Sequence, residues 1–333
     1  MVLNDLGIDF GTANTLIYAR GIGIVLNEPS VIAFNNETGR LKAIGKEAIE
    51  MIGRTPRNIS ITQPINRGVI SDIPVAGDLL KMLIRRCLRI PFVKSRIVMG
   101  VPDNTTQVER YAMMEAAHYA GARKVHVVRE TAAAAIGAEL PIHEPHASMI
   151  VDIGAGTTEI AVFSLSGIVL SKETRIGGNQ FDEAIIEYVE KKYRVIVGKL
   201  TAERIKIEIS SACPLENPVS IEVKGKSKID GLPKIVVLTD SEVRAALTQP
   251  LIPITGAVKE VLARIPPELS ADIFERGILL TGGGALLRHL DSYFSHAVGV
   301  KSFMDKNPLL SVARGTGYFL GNSRLLARMA AFD

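Results

Sequence analysis

The chain carries one acidic, glycine-rich signature twice. "LGIDFGTANTLIYARG" occupies residues 6–21 and "VDIGAGTTEIAVFSLSG" occupies residues 151–167. Laid in register, Asp152 falls on Asp9, Gly154 on Gly11 and Thr157 on Asn14. Each copy reads as two strands, rich in β-branched residues, joined by a glycine turn. A chain built this way is constrained to two related units. Strand and helix patterns alternate in both halves, so the expected class is α/β, two related domains with a cleft between them. The length of 333 residues suits two domains of ~150 residues each.

The repeated turn has a chemistry. A glycine-rich turn lets backbone N–H groups come close to a phosphate and offer several donors. Thr12, Asn14, Thr157 and Thr158 add side-chain donors. Asp9 and Asp152, just ahead of the turns, cannot sit against a phosphate because like charges repel. They can face a divalent metal through water, and the metal bridges to the phosphates. Two such hairpins would clamp a nucleotide's phosphate tail from both sides. A turn-stabilising side chain is the plain alternative for either aspartate.

The rest of the chain gives the setting. Hydrophobic residues make up 47%, charged residues 22% and aromatics only 5%, with no tryptophan, so the core is aliphatic and the chain folded. A net charge of +4 does not by itself make a nucleic-acid binder. Cys87 and Cys213 lack any paired spacing and read as free thiols of a reducing compartment. Asp5 and Asp9 interrupt any apolar leader, and no apolar run approaches the ~20 residues of a membrane span. A cytoplasmic protein is expected. Residues 33–70 read as a small inserted unit with a turn at "NNETGR" and a helix at "GKEAIEMIG". "DIPVAGDLLKMLIRRCLRI" reads as an amphipathic helix, and Thr106 with Glu109 forms a capping box ahead of the next one. Asn179 reads as the cap of "NQFDEAIIEYVEKKYR". The segment "DSEVRAALTQPLIPITGAVKEVLARI" is a long helix that should bend or break near Pro250 and Pro253. "GILLTGGGALL" reads as a strand entering a glycine turn with a helix behind it.

Taken in order, "GIDFGTANT", "VDIGAGTTE", "TAERIK" and "LTGGGALL" resemble the nucleotide-binding fold of actin, Hsp70 and sugar kinases. "NEPSVIA", "MIGRTP", "GVISD", "TAERIKIEI" and the stretch from "PPELSADI" to "ERGILLTGGGALLR" are similar to the MreB family of bacterial actins over essentially the whole chain. The resemblance implies a two-lobed actin-like fold, with duplicated RNase H-like cores that each carry a small subdomain. Residues 1–32, 71–143 and 312–333 would form subdomain IA and 33–70 subdomain IB. Residues 144–178 and 243–311 would form IIA, and 179–242 IIB. The implied function is an ATP-dependent homopolymer on the inner face of the cell membrane. It would organise wall synthesis and cell shape with membrane-bound wall-synthesis proteins as partners, and slow hydrolysis of ATP to ADP would act as its timer. An organelle- or plasmid-positioning actin and a small-molecule kinase of the same superfamily are the alternatives.

Carried over by position, Gly11, Thr12, Ala13 and Asn14 would meet the ATP phosphates from the first hairpin, and Gly154, Ala155, Gly156 and Thr157 from the second. Asp9 and Asp152 would hold Mg2+ through water. Glu203 and Lys206, three apart on one helix face, would lie on the ribose and adenine, although a plain surface ion pair has the same spacing. Gly282, Gly283 and Gly284, with Ala285 and Leu286, would let backbone lie against the nucleotide. Glu130 stands at the second glutamate of the family's "EEP" motif, here Arg129-Glu130-Thr131, and would position the attacking water, with Thr158 as its partner. Helix-dipole stabilisation is the plain alternative for Glu130. Ala155 replaces a glycine of the family's "GGG", which requires this residue to avoid positive φ. "RRCLRIPFVKSR" mixes five basic residues with Ile90, Phe92 and Val93, a composition suited to an anionic membrane surface.

Overall fold

The computed structural model describes residues 5–87 and 96–329. Ile90, Phe92 and Val93 lie outside the described residues.

Two five-stranded sheets have the same build. In the first, the strands run in the order Lys124–Arg129, Arg96–Val101, Asp5–Phe10, Asn14–Ala19, Gly23–Pro29. In the second the order is Ser302–Met304, Ile278–Thr281, Ser148–Ile153, Thr158–Ser164, Gly167–Thr174. Each sheet has an antiparallel meander that begins with a repeat hairpin, and two parallel strands on the other side of its first strand. The sequence repeat is therefore a repeat of whole sheets. Both first strands are almost entirely buried, as parallel-side strands with helices on their faces must be.

Three large apolar clusters fill the molecule, beside a small fourth one of Val31, Ala33, Ala43 and Ala48. One lies under the first sheet, around Leu6, Ile8, Leu79, Leu83 and Ile97. A second lies under the other sheet, around Val151, Phe181, Ile205 and Leu280. The third joins residues of both sheets, among them Val98, Val128, Ile150, Phe163 and Phe319, through the alanine-rich helix Glu130–Gly137 and the helix Ser311–Gly321. These two helices pack backbone to backbone. A Cβ on Gly315 would lie 1.8 Å from the Ala133 carbonyl oxygen, so only glycine permits the contact.

The smaller elements refine the sequence reading. Residues 33–70 hold more than a turn and a helix: Ile32–Asn35, Leu41–Ile44 and Ile59–Thr62 form a three-stranded sheet beside the helix Lys46–Glu50. Val195–Ile196, Ser220–Ser227 and Pro233–Thr239 form another. The Thr106–Glu109 capping box is present in full. Of the bend or break expected near Pro250 and Pro253, the break is absent: the helix runs from Asp240 to Arg264. Each internal proline costs about 3 kcal/mol. Full burial of Val243, Leu247, Leu251, Ile254, Val258 and Val261 at about 1.5–3 kcal/mol apiece outweighs that cost. The helix after the second hairpin meander is Gly178–Tyr193, and its cap is Gly177 rather than Asn179. The Gln180 side chain accepts from the Gly177 N–H at 2.9 Å, which closes the first turn and leaves Asn179 inside the helix. Behind the triple glycine stands a single 3-10 turn, Gly283–Leu286, and the next α-helix begins only at Leu290.

Candidate functional site: two facing hairpins and a buried carboxylate cluster

Both hairpins close with the same bond. The Gly11 N–H donates to the Asn14 carbonyl at 3.1 Å, and the Gly154 N–H to the Thr157 carbonyl at 2.9 Å. Each turn also has its carbonyls pulled backwards. In the first, the Ser30 hydroxyl donates to the Gly11 carbonyl at 2.6 Å and the Ser30 N–H to the Ala13 carbonyl at 2.8 Å. In the second, the N–H groups of Gly178 and Asn179, at the start of a helix, donate to the Gly154 and Ala155 carbonyls at 2.9 and 2.8 Å. Because a trans peptide sets its N–H opposite its C=O, fixing Gly11 O and Gly154 O turns the N–H groups of Thr12 and Ala155 the other way. The Gly156 N–H is turned by the same logic. None of these three finds an acceptor among the described residues. Ser30 and a helix N-terminus thus do one job in two places. Ala155 avoids positive φ, as its side chain requires.

The hairpins face each other across a third turn. The Gly68 N–H donates to the Thr12 hydroxyl at 3.1 Å. On the opposite side, a Cβ on Gly156 would lie 2.7 Å from Arg67 Cα and 3.1 Å from Thr12 Oγ1. The glycine run joins from the second sheet. Gly282 has φ +82, and a Cβ there would lie 2.3 Å from Asp152 Oδ1. Gly284 packs as tightly on Ile153. Ala285 is buried and Leu286 is half exposed.

The carboxylates gather between these turns. Burial first, then the charge of Asp152, pushes the Asp9 carboxyl up to about 7. Burial and the Asp103 charge push Asp152 to about 7. Glu130 is driven well above the usual carboxylate range by burial and then by Asp9, Asp152, Asp103 and Glu173. Glu159, whose side chain shares the site, is driven up by burial, Asp103 and Glu130. Among the described residues, no three His, Cys, Asp or Glu side chains are arranged to ligate a metal directly. The repulsion between Asp9 and Asp152 nevertheless fits a cation held through water.

The Thr158 side chain is fully buried and donates to the Ile176 carbonyl at 2.7 Å, so only its lone pairs are left to offer. Lys206 lies by the second hairpin, but its ammonium contacts Asp182 at 2.8 Å and the Gly178 carbonyl at 3.0 Å. Glu203 is half-buried on the same helix. Sequence reasoning missed Ser30, the Arg67–Gly68 turn, Asp103, Glu159 and Asp182. Glu159 was within reach, since it closes the quoted "GTTE", and Ser30 follows a proline that ends a strand. Asp103 carries no local signal.

The comparisons agree with this geometry. The pattern of the family described as MreB/Mbl protein matches residues 3–328. The cell shape-determining protein MreB of Escherichia coli K12 is 48% identical over 323 residues, covering 95% of this chain and 93% of that protein. The cell shape-determining protein Mbl of Bacillus subtilis is 43% identical, with 97% of each chain covered. Among solved structures, MreB5 of Spiroplasma citri bound to AMPPNP superposes with a TM-score of 0.93 at 36% identity, over 98% of this chain and 99% of that one. A MamK double helical filament, 23% identical with a TM-score of 0.82, shares the fold. A duplicated sheet with facing Asp-Gly hairpins, matched along nearly its whole length by these relatives, places the chain in the MreB/Mbl family of bacterial actins.

Proposed function

We propose that the chain is a filament-forming bacterial actin that determines cell shape, and that it binds ATP with magnesium between its two hairpins. The observation that carries the reading is the matched set of turned-back carbonyls, which aims the N–H groups of Thr12, Ala155 and Gly156 into the space that the hairpins share. Such a nest of donors suits an anion. The AMPPNP-bound MreB5 relative supports a nucleotide as that anion.

Asp9 and Asp152 would hold a magnesium ion through water, and the ion would neutralise phosphate charge. The chain's own residues then divide the work. The hairpin N–H groups bind and orient the phosphates. Gly282–Gly284 let backbone lie close to the nucleotide, as Gly282 already lies against Asp152. Glu130, at the N-terminus of a helix and with a raised proton affinity, is placed to take or order the proton of an attacking water. Thr158, with its hydrogen donated to Ile176, would act as an acceptor for that water. Lys206 acts by fixing the helix that holds the second hairpin, and Glu203, half-buried on the same helix, would face the ribose.

No helix among the described residues is long and apolar enough to cross a membrane. Membrane contact is assigned to Ile90, Phe92 and Val93 on their composition together with the family resemblance.

The test is nucleotide titration and pelleting of purified protein with ATP and magnesium, with and without anionic liposomes, beside Glu130→Ala and Phe92→Ser. The expected result is tight ATP binding and sedimenting polymer for all three proteins, loss of phosphate release in Glu130→Ala, and loss of liposome-bound polymer in Phe92→Ser. ATP binding without any polymer would return the kinase reading.

A further inference from the structure

Glu130 stands between two residues that depart from the family's motif, Arg129 and Thr131. The structure gives both departures a common partner in Asp103, on the turn after the strand Arg96–Val101. The fully buried Thr131 hydroxyl shares its one hydrogen between the two carboxylate oxygens of Asp103, which lie 2.7 and 2.8 Å away. Burial raises the Asp103 carboxyl above the usual carboxylate range, and the Thr131 hydroxyl and the Arg129 charge restrain that rise. From its other side, the Asp103 backbone N–H donates to Glu159 Oε1 at 2.9 Å. Asp103 is 7% exposed and Glu159 2%.

Asp103 therefore bridges two sheets. Through Thr131 it grips the first turn of the helix that begins at Glu130. Through Glu159 it grips the strand Thr158–Ser164, which leaves the second hairpin. A proline at position 131 would have no hydroxyl to offer and an apolar residue at 103 no acceptor, so the two side chains make sense together.

We propose that Asp103 is a positioning residue for ATP hydrolysis. It fixes the Glu130 end of its helix against the second hairpin, so that Glu130 and the phosphate-binding turn keep one spacing. The proposal rests on reading Glu130 as the group that orients the attacking water. A hydrogen bond between two buried side chains, charge-assisted when the carboxyl is ionised, fixes where both groups lie, which is what positioning requires. Displacement of a catalytic group by about 1 Å costs on the order of a hundredfold in rate, with little effect on ground-state binding.

The experiment compares wild type with Asp103→Ala, Thr131→Val, Thr131→Ser, the Asp103→Ala/Thr131→Val double variant and Glu130→Ala. Affinity for a fluorescent ATP analogue, phosphate release at saturating ATP and pelleted polymer are read on the same preparations. Thr131→Val keeps the volume of threonine, so it reads the hydroxyl even if Asp103→Ala folds poorly. The expected result is a fall in turnover of about tenfold to a hundredfold in Asp103→Ala and Thr131→Val, with affinity and polymer close to wild type. The double variant should be no slower than the singles, and Thr131→Ser should restore the rate. If Glu130→Ala loses turnover while Thr131→Val keeps it, the positioning role is overturned and the reading of Glu130 stands. If Glu130→Ala keeps turnover, both fall. Equal losses of affinity and rate would mark a structural contact and overturn the proposal.

Discussion

The backbone N–H of Gly68 donates to the side-chain hydroxyl of Thr12 at 3.1 Å, and this bond ties the turn after Asn66 to the first phosphate-type hairpin. The neighbouring Arg67 backbone lies against Gly156 in the second. One short turn therefore touches both hairpins and sets how close they come.

That contact makes Gly156→Ala a test of hairpin spacing. The added methyl would fall 2.7 Å from Arg67 Cα, and backbone cannot move aside as a flexible side chain can. Overpacking of this kind costs about 1–3 kcal/mol. The expected outcome is a lower melting temperature and about tenfold weaker ATP binding, at 1.4 kcal/mol per decade. Gly256→Ala, exposed on the long helix with nothing within 4 Å, should be neutral or stabilising. Unchanged binding in Gly156→Ala would show that the hairpins part without cost.

Asp152→Asn should stabilise the protein in the absence of magnesium and remove its response to magnesium. Asp152 has a folded-state pKa raised to about 7 from 3.8. Such a group favours folding below about 3.8, and that contribution is lost as pH rises through 7. Without magnesium, wild type should therefore lose melting temperature between pH 5 and 8, and the variant should lose less. Adding magnesium and ADP should raise the wild-type melting temperature and leave the variant nearly unmoved. Equal stabilisation of both would take Asp152 out of the cation site.

The parts of this site that were legible in the sequence are those made by local backbone geometry. The Asp–Gly hairpins announced themselves because a turn needs its glycines at fixed offsets, and two copies in register exclude coincidence. Thr106 with Glu109 was readable for the same reason. Residues that act through tertiary contact were not readable. Ser30 reaches the Gly11 carbonyl from the bend after another strand. Asp103 meets Thr131 only after two strands align in parallel. Asn179 was misread because a cap depends on which residue leaves helical geometry, and the carbonyls of Gly154 and Ala155 draw Gly178 and Asn179 into the helix. The two prolines of the long helix do not break it, because local propensity yields to a buried face.

Acid stability should depend on Glu242. Hydrogen bonds from Lys192, Tyr193 and Thr239 hold its carboxyl at about 2, below the ordinary 4.5, in spite of the opposing effect of burial. A lowered folded-state value gives stability that is fully present above about 4.5 and is lost as pH falls toward 2. Glu242→Ala should therefore unfold more readily than wild type at pH 7, with the difference closing as the pH approaches 2. Thermal melts at pH 7, 4 and 2.5 measure it. A constant difference across that range would mean that packing, not charge, is what Glu242 contributes.

Lys206→Ala separates the structural role of this lysine from a role in binding the nucleotide. The Asp182 side chain is 3% exposed, and its carboxyl stands at about 6, raised by burial and restrained by Lys206. Removing the ammonium leaves an uncompensated buried carboxylate and frees the Gly178 carbonyl that it also holds. Loss of one partner of such a pair costs about 3–5 kcal/mol when both are buried, and Lys206 at 19% exposed belongs at the lower end. Because the folded-state value of Asp182 would rise further, the deficit is largest at pH 8 and shrinks as the pH falls toward 4. Asp182→Asn in the same chain should recover most of the melting temperature by removing the stranded charge. If nucleotide affinity recovers with it, Lys206 acts through the helix that braces the second hairpin. If stability returns while affinity stays low, the ammonium itself touches the nucleotide, and the ion pair with Asp182 must open when ATP binds.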